Sequence, residues 1–209
     1  MRKPFHQQIQ QNLFCLLNFP ATFFLSRKCE TVVSLVLASI LFIFGPSCGG
    51  KSTLAKALVQ QLGPPWIYLD RDQLIEDGLC MEEKADEMIE ECIDLSQLKD
   101  QHVIVDAQIP WRAPKKENEL YILVYAPLSE LLARDTKRTA ILNRSPKRAY
   151  FARLYVEETF IEVFKTPARL NFYYDLAFDS SQYSIDAEIE KVLQLLLQRK
   201  CHIFPNPKF

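Results

Sequence analysis

Eight residues of this chain have the types and spacing of a phosphate cradle: Gly45-Pro46-Ser47-Cys48-Gly49-Gly50-Lys51-Ser52. The pattern is GxxxxGK[ST], and its context is the one that such a loop requires: a buried strand before it and a helix after it. Ser39 to Phe44 supply the apolar run, and Thr53 to Leu58 open the helix. Three of the chain's five glycines fall inside the loop. Glycine is wanted there because the backbone must coil closely around phosphate oxygens with its N–H groups inward. The helix adds the positive end of its dipole. Lys51 is expected to reach the β/γ-phosphates of a bound nucleotide and the Ser52 hydroxyl to sit on Mg²⁺, with Thr53 completing the binding segment.

A second group of candidates follows at once. Trp66-Ile67-Tyr68-Leu69 reads as a short strand that runs into Asp70-Arg71-Asp72. In an open parallel sheet, ligands bind outside the carboxyl ends of the strands, which puts both acids beside the loop. A carboxylate there can orient and deprotonate an attacking hydroxyl. Aspartate is also a favoured helix N-cap, so each of the two acids has a plain structural alternative. His102-Val103-Ile104-Val105-Asp106 is the next strand, and it ends in an acid that suits a magnesium site or simply closes the strand.

The loop, then Pro65-Trp66 and Asp72-Gln73-Leu74-Ile75-Glu76 at this spacing, resemble the chloramphenicol phosphotransferase family, within the zeta-toxin and adenylate-kinase-like group. The resemblance spans about residues 39–198, with its firm motifs in 45–76. It implies an ATP- and Mg²⁺-dependent transfer of a γ-phosphate to a hydroxyl of a small molecule, with Asp72 as general base. Polynucleotide-kinase-like relatives carry Arg where this chain has Ile75, which argues against that branch. Gln73 stands where the antibiotic-modifying enzyme has Ser. Asp106 is followed by Ala107, where the family has two adjacent acids. The resemblance also maps lid arginines onto Arg134 and Arg138, one helical turn apart. Residues 134–153 hold seven cations against Asp135 alone. A cationic lid would neutralise charge on a transferring phosphoryl group. A solvated basic face and contact with nucleic acid are the alternatives to it. A nucleotide or nucleotide-sugar kinase of zeta-toxin type remains a second enzymatic reading, and a non-catalytic ATP-binding regulator a third.

The elements that position these residues follow from periodicity. Leu54, Leu58 and Leu62 form one helical stripe, stopped by Gly63-Pro64-Pro65. Residues 76–94 carry nine acids and one Lys, with Met81, Ala85, Met88, Ile89 and Cys92 at helical spacing, and read as one amphipathic helix. Leu120 to Tyr125 is the fourth strand, and Pro127 should stand at the first position of the helix that follows. Tyr174 to Phe178 reads as the fifth strand. Ile185 to Lys200 form the last helix, with Arg199 and Lys200 at its C-terminal end. The expected fold is α/β and doubly wound: about five parallel strands with helices on both faces.

Composition narrows the rest. The chain has 209 residues, 48% of them hydrophobic, and a net charge of −1, so it can bury one core and has no polybasic or acidic tail. Six cysteines and three histidines form no CxxC pair and no cluster, so no structural zinc is expected. The cysteines read as mostly buried in a reducing cytoplasm. Leu13 to Leu25 and Val32 to Phe44 are too short to span a membrane, and Ser26 to Cys29 lack a signal-cleavage pattern. Residues 1–31 are read as an extension or a start assigned too far upstream, 32–200 as the kinase domain, and 201–209 as a tail. The expected partner is a small hydroxyl-bearing molecule, with neither nucleic acid nor membrane.

Overall fold

A computed structural model describes residues 40–111, 116–170 and 173–203, apart from the side chains of 167–170 and 199–203. The readings made for residues 1–39, for the tail beyond Ile203 and for the side chains of Arg199 and Lys200 fall outside it.

The strands are β1 (Ile40–Phe44), β2 (Trp66–Asp70), β3 (His102–Asp106), β4 (Glu119–Tyr125) and β5 (Leu176–Asp179). The helices are α1 (Lys51–Leu62), α2 (Arg71–Glu76), α3 (Ala85–Gln97), α4 (Leu128–Ile141), α5 (Pro146–Leu170) and α6 (Ile185–Ile203). All strand pairs are parallel, in the order β2-β3-β1-β4-β5. β1 is central and buried along its whole length, as its unbroken apolar run requires.

Alternation along β1 divides the core. Leu41 and Ile43 face Leu54 and Leu58 of α1 and Val192 and Leu196 of α6. Ile40, Phe42 and Phe44 point the other way, to Leu74 and to Ile89 and Ile93 of α3. Each such side chain, taken fully from water, contributes about 1.5–3 kcal/mol. The loop after β1 is therefore anchored at the most buried strand end. Ala126, Leu131 and Val156 form a smaller cluster between α4 and α5, on which Cys48 of the loop also packs.

Four expectations change. The acidic segment is not one helix. Gly78, at φ 68°, ends α2, with Gly78 N–H donating to Ile75 O and Leu79 N–H to Leu74 O, both at 3.0 Å. This pair of bonds and the Leu74–Leu79 contact make a glycine C-terminal motif. A short 3₁₀ turn, Glu82–Lys84, then leads into α3. Met81 is consequently exposed, while Ala85, Ile89 and Cys92 are buried as expected.

Pro127 is the N-cap of α4 rather than its first residue, because its carbonyl already accepts from Glu130 and Leu131. β5 begins at Leu176, two residues later than expected. The Asp175 carboxylate takes the Tyr121 N–H at 2.7 Å, filling a ladder position with a side chain. Among the described cysteines only Cys92 is buried, while Cys48 and Cys80 are partly exposed.

Asp135, only 6% exposed, accepts from Arg144 Nη1 at 2.9 Å and so ties α4 to the turn before α5. Arg144→Ala leaves that buried carboxylate unpaired. We expect a loss of about 2–3 kcal/mol in urea unfolding; an unchanged midpoint would show that the pair contributes nothing.

Candidate functional site

The loop between β1 and α1 is shaped by what it cannot accommodate. A Cβ on Gly45 would stand 1.9 Å from the Val124 carbonyl oxygen, and one on Gly49 2.9 Å from the carbonyl oxygens of Pro46 and Val124. Only glycine lets the loop lie this close to β4. Cys48, a non-glycine residue, sits at φ 62°, and Gly50 caps α1 at φ 106°.

Distant residues hold the coil. Ser47 N–H donates to Thr159 Oγ1 of α5 at 3.1 Å. The Ser180 hydroxyl, just past β5, donates to Gly49 O at 2.7 Å. Arg134 donates to Cys48 O at 3.3 Å, to Ser180 Oγ at 2.8 Å and to Ser180 O at 3.0 Å, and pairs with Glu130.

Beside the loop lies a chain of polar groups at the strand ends. Lys51, 8% exposed, donates to Pro46 O at 3.2 Å and stands 3.9 Å from Asp106 Oδ1. The Ser52 hydroxyl donates to Asp106 Oδ2 at 2.5 Å. Tyr68 donates to Asp70 Oδ2 at 2.8 Å and to Asp106 Oδ2 at 3.2 Å. Parallel register makes this possible, since Asp70 and Asp106 are partners across β2 and β3. Burial pushes the Asp106 carboxyl up, against the pull of Lys51 and Ser52. Burial, with the charges of Asp106 and Asp70, pushes Tyr68 well above the usual phenol range, so it remains a donor.

The two acids after β2 have separate places. Asp70 caps α2: its Oδ1 accepts from the N–H groups of Asp72 and Gln73 at 3.1 and 3.2 Å. Asp72 is exposed on the first turn, and among the described residues no group donates a hydrogen bond to its carboxylate.

These groups surround one cleft of about 650 Å³, a size that suits a nucleotide. Residues 47–53, Asp72, Asp106, Arg134 and Arg138 all line it. Gly45 and Pro46 do not line it; Gly45 acts through its lack of a side chain, Pro46 through its carbonyl. Among the described residues no three of His, Cys, Asp and Glu are grouped to hold a metal, so any cation here would rely on the Ser52–Asp106 pair and on phosphate oxygens.

The basic segment divides. Arg134 is bonded to the loop, Arg144 to Asp135 and Arg153 to Glu157. Arg138 lies exposed in the cleft and makes no hydrogen bond among the described residues.

Tyr68, Thr159, Ser180 and Glu188 belong to the site and were not picked out from the sequence. Tyr68 shares a strand face with Asp70, and Ser180 follows a strand end; both positions were readable. Glu188 is an acid on the inward stripe of α6, beside Ile185 and Ile189. Thr159, within a 25-residue helix, gives no such signal.

Comparison with known proteins agrees with this geometry. Residues 38–125 match the family model described as chloramphenicol phosphotransferase-like protein. The matched stretch, under half of the chain, contains the loop, Asp72 and Asp106; Arg134 and Arg138 lie beyond it. Shikimate kinase from Acinetobacter baumannii, solved in complex with shikimate, is a similar structure: 19% identity, 82% of this chain and 98% of that chain covered, TM-score 0.55. That likeness shows the fold alone: an α/β P-loop fold. YorR protein from Bacillus subtilis, in complex with phosphorylated GDP, is 18% identical over 80% of this chain and 99% of that one, TM-score 0.49. None of the curated proteins matches the chain. No helix among the described residues is long and apolar enough to cross a membrane.

The two arginines should separate experimentally. Arg134→Ala removes charged hydrogen bonds to the loop and to Ser180, and should cost about 1–3 kcal/mol of stability. Arg138→Ala should stay within about 0.5 kcal/mol of the parent. Thermal melts of the two variants check this; equal midpoints would mean that Arg134 does not hold the loop.

Proposed function

We propose that this protein is an ATP- and Mg²⁺-dependent phosphotransferase acting on an alcohol group of a small molecule. The observation that carries the proposal is a single cleft with two chemically distinct halves. One half is a coiled backbone with a buried Lys51 and the Ser52–Asp106 pair. The other is the rim of α2, where Asp72 projects a carboxylate to which no group donates among the described residues. The match to the chloramphenicol phosphotransferase-like family supports the same reading, although Gln73 and the split acidic segment leave the acceptor open.

In this reading the loop N–H groups and Lys51 bind the β- and γ-phosphates. Ser52 and Asp106 would hold Mg²⁺, which when bound neutralises phosphate charge and fixes its orientation. Asp106 is suited to that task because its negative charge is buried beside a fixed hydroxyl and Lys51. Asp70 keeps Asp72 in place by capping the turn that carries it. Asp72 accepts the proton of the acceptor hydroxyl as that oxygen bonds to the γ-phosphorus and the bond from phosphorus to the β-bridging oxygen breaks, releasing ADP. Arg138, whose guanidinium makes no hydrogen bond among the described residues, serves the charge on the transferring group. Arg134 acts mainly by positioning the loop.

Asp72→Asn tests the assignment. The side chain keeps its size and loses its proton affinity. Acceptor-dependent ADP formation, with chloramphenicol among the trial alcohols, should fall by about two to four orders of magnitude. ATP affinity and the melting temperature should remain near those of the parent. Turnover close to the parent's in the Asn variant would discard Asp72 as the base.

A further inference from the structure

Glu188 is only 3% exposed, yet its carboxylate lines the cleft and has no hydrogen bond or ion pair among the described residues. A desolvated carboxylate without a partner is costly, and a fold retains one where something else is to meet it. Its helix position does not explain it. Asp186, exposed in the same first turn, already supplies the negative charge that the start of α6 favours.

The topology says which part of a nucleotide lies there. Asp106 ends β3 and Asp72 stands in the first turn of α2, just past β2; both lie to one side of the loop and, in the reading above, mark the γ-phosphate end of the cleft. The order β2-β3-β1-β4-β5 puts β5 and the start of α6 on the opposite side. A nucleotide whose phosphates occupy the loop must therefore direct its base toward Tyr183, Ile185 and Glu188, all three of which line the cleft. Tyr183 is held edge-on against Phe178, with its ring centroid 6.0 Å from that of Phe178, and Lys191 Nζ stands over one face at 5.0 Å, which leaves the opposite face of the ring to a ligand in the cleft that Glu188 also lines. One polar group set in an apolar wall is how a pocket selects orientation.

We infer that Glu188 reads the nucleobase: its carboxylate accepts a hydrogen bond from the exocyclic 6-amino group of adenine, which lies against Tyr183 and Ile185. The inference rests on the ATP reading above. The electrostatics agree with a group that awaits a donor. Burial pushes the Glu188 carboxyl up to about 7, against the pull of Arg134, and an N–H donor would restore its ionised form.

The test compares ATP with purine riboside triphosphate, which has hydrogen in place of the 6-amino group, by calorimetry on the full chain with Mg²⁺. The parent protein should bind ATP about tenfold or more tightly than the analogue, the worth of one hydrogen bond to a charged group. Glu188→Ala should reduce that ratio to about threefold or less, while Glu188→Gln, which keeps an acceptor oxygen, should retain most of it. A purely structural role would weaken both ligands alike and leave the ratio unchanged. Equal binding of the two ligands by the parent overturns the inference and leaves the phosphate loop intact. So does an undiminished ratio in Glu188→Ala. Failure of both ligands to bind the parent would remove the ATP reading beneath the inference, and the inference with it.

Discussion

The site depends on how closely the loop after β1 approaches β4. The Val124 carbonyl stands where a Cβ of Gly45 or Gly49 would have to be. That contact sets the course of the coil, in which Ser47 N–H is taken by Thr159 Oγ1 and Gly49 N–H by Pro46 O, and it fixes where α1 begins. Lys51 and Ser52 are the first residues of α1, so their side chains are directed by the same constraint. Three elements far apart in the chain then hold the coil in place: Thr159 from α5, Ser180 after β5 and Arg134 from α4. The loop is a product of the whole sheet-and-helix arrangement, although its sequence signature is local.

A second constraint links the loop to the rim of α2. Asp70 and Asp106 lie level on neighbouring strands, and two carboxylates so placed would repel each other in a dry strand end. Tyr68 stands between them as a shared donor, and Ser52 and Lys51 satisfy Asp106 from the other side. Asp70 then has one oxygen left to cap α2, which sets Asp72 at the mouth of the cleft. The path from Lys51 to Asp72 thus runs through Ser52, Asp106, Tyr68 and Asp70 by direct contacts. A shift at any of these would be felt at both ends of the cleft.

The parts readable in the sequence were those governed by local rules. The β1–loop–α1 unit, the ends of β3, the Asp106 position and the stop at Gly63 all follow from glycine conformation and from apolar periodicity. The acidic helix was misread because its charges and apolar residues keep a helical spacing across Gly78, and only the backbone turn there reveals two helices. Pairing partners lay beyond local rules. Arg134, Arg138 and Arg144 have the same charge and neighbouring positions, but tertiary contacts separate them: Arg134 staples the loop, Arg144 locks Asp135, and Arg138 has no such bond among the described residues. Glu188 was hidden for a similar reason, since an acid in a first helical turn is ordinary until its burial is known.

In the proposed function, Lys51, held inside the coil, is the point charge around which a nucleotide's phosphates assemble. Calorimetric titration of ATP with Mg²⁺ into the parent chain and into Lys51→Ala tests it most directly, with a melting curve for each protein. We predict that affinity falls at least about tenfold, the loss of a charge-assisted contact to phosphate, while the melting temperature stays within a few degrees. An unchanged dissociation constant in Lys51→Ala would contradict the account, because the loop would then not be where the phosphates bind.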